Sequence, residues 1–275
     1  MLVPLPGGMI TPAQLAALSS ASSQLGSGTL ELTARGNLQL RGITDATAIV
    51  PLLTQARPNI VASPLSGRVG GNADVRPWVG ELDAAICAEP RLADLGGRFW
   101  FSLDDGSADV SGLGADVGVH VFEEGCALLL RGRDTGGRLA VGDVINTLVA
   151  VALKFNEIRE TSWSATPFPP RTKPPVGWIT QDDGRIALGA AVPLGVLSAR
   201  IAEFLAAIEA PLVITPWRSV LVCDLDEGVA DVALRVLAPL GLIFDENSSS
   251  LCRAPWLCAA VESHREKIET PQRLK

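Results

Sequence analysis

The sequence predicts an α+β protein in which a helix, strand, strand, helix, strand unit occurs twice, on either side of a middle α+β module. Three observations carry that prediction. Short runs alternate apolar and polar residues with period two, as half-buried strands do, and stretches of helical period lie between them. The order of elements recurs late in the chain, and Thr33, Leu38 and Leu40 stand opposite Thr215, Val220 and Val222 at a constant offset of 182 residues, the mark of an internal repeat. Such a unit hides one sheet face under two helices and leaves the other free, so two copies could pair their free faces around a ligand.

Thr11 is an N-cap residue with Pro12 at the first helical position, and Leu15, Leu18 and Ala21 follow on one face, which predicts an amphipathic helix. After a Gly26-Ser27-Gly28 turn, residues Thr29 to Thr33 and Asn37 to Arg41 read as two strands broken at Arg35-Gly36. Asp45 to Ala56 is a second helix. The middle module reads as a helix from Pro77 to Glu89, strands from Arg98 to Leu103, Val117 to Phe122 and Cys126 to Leu130, and a helix from Val141 to Phe155. The proline-rich stretch Pro167 to Pro175 is read as a linker without regular structure. In the second copy, Leu197 to Ile208 and Glu227 to Leu237 are helices, and Leu212 to Thr215 and Val220 to Val222 are strands. The expected units are therefore 1–71, 72–166, a linker at 167–176, 177–258, and a polar tail at 259–275.

The chain has 275 residues, 47% of them hydrophobic, and 30 acidic residues against 23 basic ones, a formal charge of −7. Intrinsic disorder does not fit this apolar content, and no basic footprint is present for nucleic acid or an anionic membrane surface. No basic residue precedes the uncharged N-terminal stretch, which Pro4, Pro6 and Pro12 interrupt, so neither a signal peptide nor a membrane span is expected. Five cysteines, an odd number, point to a reducing compartment, taken as the cytoplasm.

Two histidines, His120 and His264, are too few for a histidine-rich metal site, and the common hydrolase motifs are missing. His120 is read as a half-exposed structural residue. Asp104-Asp105 and Asp182-Asp183 both precede a glycine and are read as hairpin turns. The polar row Arg35, Asn37, Gln39 and Arg41 is the most informative feature. Strand residues two apart share a face, so two guanidinium groups and two amides could grip a ligand with several carboxylates while Leu38 and Leu40 pack beneath. An ordinary solvated sheet face is the other reading of the same pattern.

The stretch Thr33-Ala34-Arg35-Gly36-Asn37-Leu38-Gln39 resembles the Thr-x-Arg-x-Asn-x-Gln signature of the nitrite and sulfite reductase superfamily. Within it, the stretches Arg57 to Gly67, Gly97 to Gly106, Pro175 to Trp178 and Thr215 to Ser219 look most like the precorrin-3B synthase family. The resemblance runs from about Gly7 to Cys258. It implies two ferredoxin-like half-domains, an acidic tetrapyrrole substrate (precorrin-3A) that is hydroxylated with oxygen and closed to a lactone, a [4Fe-4S] cluster, and an electron donor. By resemblance, Arg35, Asn37, Gln39, Arg41, Arg57, Arg98 and Arg218 would form the tetrapyrrole site.

The chain departs from the family pattern at three places. Pro58 stands where an arginine is usual and displaces Arg57 by one residue, and Trp100 replaces a second basic residue, which disfavours sirohaem and sulfite or nitrite reduction. Cys252 and Cys258 have the C-x5-C spacing of the first cluster pair, but no second pair follows before Lys275, so the chain reads as C-terminally truncated. A vestigial cysteine pair, and with it a non-catalytic tetrapyrrole-binding protein, is the alternative to the oxidoreductase.

Overall fold

The structure is a computed structural model that describes residues 1–44, 59–93, 95, 99–157, 166–167 and 174–248. In chain order the elements are β1 (Leu2–Val3), β2 (Met9–Ile10), α1 (Pro12–Leu25), β3 (Thr29–Leu32), β4 (Leu38–Leu40), β5 (Asn59–Ala62), α2 (Arg76–Ala88), β6 (Trp100–Asp104), β7 (Val117–Phe122), β8 (Gly125–Leu130), β9 (Arg133–Leu139) and α3 (Val144–Glu157). They continue with β10 (Thr166–Pro167), β11 (Gly177–Thr180), β12 (Ile186–Ala191), β13 (Val196–Ser198), α4 (Ala199–Ala206), β14 (Leu212–Ile214), β15 (Ser219–Leu225) and α5 (Glu227–Leu237). This is the expected α+β class. The predicted helix at Asp45 to Ala56 lies outside the described residues.

Three sheets result, with strand orders β1-β4-β3-β13, β11-β12-β15-β14-β2 and β10-β9-β8-β7-β6-β5. The first two belong to the repeats and are closed by exchange. Strand β2 precedes the first repeat's helix yet pairs with β14 of the second, through Leu212↔Ile10 and Val213↔Met9. Strand β13 precedes the second repeat's helix and pairs with β3 of the first, through Val196↔Glu31 to Ser198↔Thr29. A tight turn leads into each exchanged strand, and Gly7 and Leu194 hold the same left-handed conformation in those turns, at φ 63° and 56°. The following helices are capped alike. Thr11 accepts from the Gln14 N–H in a full capping box, and Ser198 accepts from the Ile201 N–H.

Both repeats share one core. Leu30, Leu38 and Leu40 of the first sheet and Leu188, Val220 and Val222 of the second pack with Leu15 and Leu18 of α1, Leu205 of α4 and Leu237 of α5. Helices α1 and α4 lie directly together, where Ser19 Oγ donates to the Ala199 carbonyl at 2.7 Å. The expectation that both sheets leave a face free holds for only one of them. On the far face of the second sheet, Ala187, Val213, Leu221 and Cys223 are buried with Leu65 and Ile179.

The middle sheet has its own core beneath α2 and α3, built on Phe101, Leu103, Val117, Val119, Leu82 and Leu148. Strand β5 pairs with β6 and β6 with β7 in parallel, and the remaining pairs of this sheet are antiparallel. The parallel pairing corrects the reading of Asp104-Asp105 as a hairpin, because these residues end a strand whose successor runs the same way. Asp182-Asp183-Gly184 does turn a hairpin, between β11 and β12. Regular pairing also reaches Pro167, in the edge strand β10 opposite Arg133. No helix among the described residues is long and apolar enough to cross a membrane.

Candidate functional site

The two β-turns that carry the repeat signature are built alike. In the first, the Thr33 N–H donates to the Asn37 carbonyl at 2.9 Å and the Gly36 N–H to the Thr33 carbonyl at 3.2 Å. In the second, Thr215 bonds Ser219 at 2.9 Å and Arg218 bonds Thr215 at 3.0 Å. Gly36 and Arg218 occupy the same left-handed position, at φ 67° and 56°. The chains approach closely here, since a Cβ on Gly36 would lie 2.7 Å from the Ile214 carbonyl oxygen.

Arg35 and Trp217 are thus equivalent residues, and both turn toward Trp100 at the start of β6. The Arg35 guanidinium lies 5.8 Å from the Trp100 ring centroid, within cation–π range. Trp217 packs in one apolar cluster with Trp100, Val61, Val110 and Ala115. Arg218 is half-buried, and its side chain runs over Gly195, where a Cβ would come within 2.7 Å of Arg218 Cδ. The Arg35 guanidinium and two indole rings therefore gather where the two turns meet the N-terminal edge of the middle sheet, and Arg218 leaves the second turn over Gly195. Sequence reasoning had Trp100 only as a departure and overlooked Trp217, although the 182-residue offset already sets Trp217 opposite Arg35.

The polar row expected on β4 does not form as one surface. Asn37 is only 2% exposed, accepts from the Leu5 N–H at 2.8 Å and donates through Nδ2 to Asn59 Oδ1 at 2.8 Å. It ties the turn to β5, so its hydrogen bonds are spent on the fold. Gln39 is half-buried between Leu2 and Glu31, and Arg41 is exposed and ion-paired with Glu31 at 3.0 Å. Arg57, Arg98, Cys252 and Cys258 lie outside the described residues.

The opposite, C-terminal end of β5 and β6 is acidic. Asp104 accepts four backbone N–H groups, from Gly106, Ala108, Val110 and Ser111, and its Oδ1 lies 3.1 Å from His120 Nδ1. Burial works against its charge, but the His120 and Ser111 hydrogen bonds outweigh this and hold the carboxyl below its usual range. His120 is 4% exposed, a correction to the half-exposed reading. Asp109 accepts from Ser63 Oγ at 2.6 Å, and burial together with the neighbouring Asp104 and Asp105 pushes its carboxyl up to about 7.

A sequence comparison matches residues 1–49 to the nitrite/sulfite reductase ferredoxin-like half domain. A precorrin-3B synthase from Sinorhizobium sp is 37% identical over 111 residues, 33% of this chain and 24% of that protein. The NirA protein of Mycobacterium tuberculosis superposes with a TM-score of 0.77 over 98% of the chain at 19% identity, and the chain spans 66% of its length. The chain is thus similar to the nitrite/sulfite reductase half domain over its first 49 residues and shares the fold of NirA over nearly its whole length. The first repeat carries the match to the ferredoxin-like half domain, and the second repeats its element order.

Proteins of the nitrite and sulfite reductase superfamily typically bind an iron–sulfur cluster and sirohaem. Among the described residues the thiols do not fit a cluster: Cys87 is exposed on α2, while Cys126 and Cys223 are buried in β8 and β15, in separate cores. Burial pushes the Cys223 thiol up to about 11, away from the thiolate a metal needs. A guanidinium group at the first turn, such as that of Arg35, has the chemistry to pair with anionic oxygens.

Proposed function

We propose that this chain is a member of the nitrite and sulfite reductase superfamily that binds an acidic tetrapyrrole of the corrin-precursor type, as a precorrin-3B synthase-like protein of cobalamin synthesis. The observation that carries the reading is that the two repeat turns bearing Arg35 and Arg218 lie close together, with Arg35 stacked on Trp100. A guanidinium fork pairs with a carboxylate through two N–H donors, and each charge-assisted hydrogen bond contributes roughly 1.5 to 3 kcal/mol. Two such anchors on opposite repeats would orient a flat polycarboxylate without help from a metal.

The reaction of that family inserts one oxygen atom of O2 into precorrin-3A and closes a lactone, releasing the other atom as water with two electrons from a donor. For this chain the reaction and the donor are proposals. The scattered thiols among the described residues favour a second reading, a binding protein that holds the tetrapyrrole without turning it over.

The test is an anaerobic absorbance titration with uroporphyrin III, a polycarboxylate tetrapyrrole, together with iron and acid-labile sulfide analysis. Micromolar binding that Arg35→Ala weakens at least tenfold supports the site, and no binding by the wild-type protein refutes it. Stoichiometric iron and sulfide would select the oxidoreductase, and their absence the binding protein.

A further inference from the structure

The Trp217 indole is 8% exposed, and its Nε1 is wholly covered with no hydrogen-bond partner among the described residues. Almost every buried N–H in a folded protein is paired, because an unpaired one forfeits its hydration without return. Packing does not ask for this donor. The cluster around it is Val61, Trp100, Val110 and Ala115, which would accept the ring of a phenylalanine. An indole N–H is donor-only, so whatever satisfies it must bring an acceptor atom.

Its place in the repeat says which acceptor. Trp217 is the counterpart of Arg35, both rest against Trp100, and Arg218 is the next residue along the chain. The Arg35 guanidinium on the same Trp100 ring favours anionic oxygen at this point. We propose that Trp217 Nε1 is a ligand-recognition donor, reserved for a carboxylate oxygen of the bound tetrapyrrole. The inference rests on the tetrapyrrole reading above. Because Nε1 is covered, the hydrogen bond requires the 215–219 turn to shift on binding, so indole environment and occupancy change together.

Uroporphyrin III titrations of the wild type, Trp217→Phe and Trp217→His separate this inference from the reading beneath it. Phenylalanine keeps an aromatic ring and removes the donor, and the expected result is a Kd raised at least tenfold, equivalent to about 1.4 kcal/mol. Histidine restores a ring N–H and is expected to recover part of the loss. Thermal unfolding checks that each variant is folded. Should Trp217→Phe not fold, 15N-labelled wild type serves, its Trp217 indole resonance identified by its loss in the histidine variant and expected to move downfield on titration. Unchanged affinity in the phenylalanine variant, or an unmoved indole resonance, would mean that a buried water satisfies Nε1, and the inference fails while the site stands. Absence of binding by the wild type overturns the tetrapyrrole reading, and this inference with it.

Discussion

The turns at 33–37 and 215–219 share hydrogen bonds and backbone conformation, yet the strands that follow them meet opposite surroundings. After the first, Gln39 and Arg41 face outward on an open sheet, and Arg41 reaches solvent beside Glu31. After the second, the equivalent Leu221 and Cys223 are fully buried. The difference lies in what covers each sheet. Leu65 and Ile179 close over the second, and Arg68 fixes that cover by a two-point ion pair to Asp224, at 2.9 and 3.0 Å. One backbone plan thus serves as an open surface in one copy and as an internal joint in the other, and side-chain chemistry alone tells them apart.

Exchanging side chains across the repeat tests this most severely. Leu221→Arg places an unpaired charge in the joint and is expected to cost about 4 kcal/mol or more, read by denaturant unfolding, whereas the reverse exchange Gln39→Leu should cost under about 0.5 kcal/mol. Similar costs for the two would dissolve the contrast between open and covered sheets. Arg68→Ala leaves Asp224 without its cation in a poorly solvated place, and a loss of about 3 kcal/mol is expected. A loss below 1 kcal/mol would show that the joint is held by apolar packing alone.

The turn position itself allows a finer comparison. Gly36→Ala sets a Cβ against the Ile214 carbonyl and should destabilise by about 2 kcal/mol. Arg218→Gly relieves a left-handed arginine and should be neutral or stabilising by about 0.5 kcal/mol, while weakening uroporphyrin III binding. A destabilised Arg218→Gly would mean that the guanidinium holds the fold rather than a ligand.

The acidic end of the middle sheet belongs to neither turn and supplies an effect that depends on pH. With its folded carboxyl near 7 and an unfolded value of about 3.9, Asp109 binds its proton more tightly in the native state. Its stabilising contribution is complete below the unfolded value and is lost as pH rises through 7. Asp109→Asn abolishes that titration, so its gain in Tm over the wild type should be larger at pH 8 than at pH 5. Equal gains would show that the carboxyl is already charged at pH 5.

Sequence reasoning reached the helices and the repeat because their signals are local. Thr11 and Gln14 form their capping box within four residues, and the paired strands of each copy are separated by a single tight turn. Strand β9 escaped notice because Gly136 and Gly137 interrupt its alternation, and its neighbour slips register between Ala127 and Leu129. The exchange of β2 and β13 could not be read, since two or three residues carry no periodicity and their partners lie across the fold. At the site, the strand pattern pointed to Arg35 and the family resemblance to Arg218. Only the three-dimensional arrangement separates Arg35, stacked on Trp100, from Asn37, whose amide is consumed by Leu5 and Asn59.

The reciprocal loan of β2 and β13 has a consequence for how such a chain can arise and be taken apart. A single copy on its own would carry a loose strand to offer and an empty slot to fill, and two identical copies would satisfy each other as a symmetric pair. Joining them in one polypeptide keeps that mutual dependence but removes the requirement of identity. Fragments cut between the repeats should therefore fold only when mixed. The same covalent link lets one copy keep an arginine where its twin has a tryptophan.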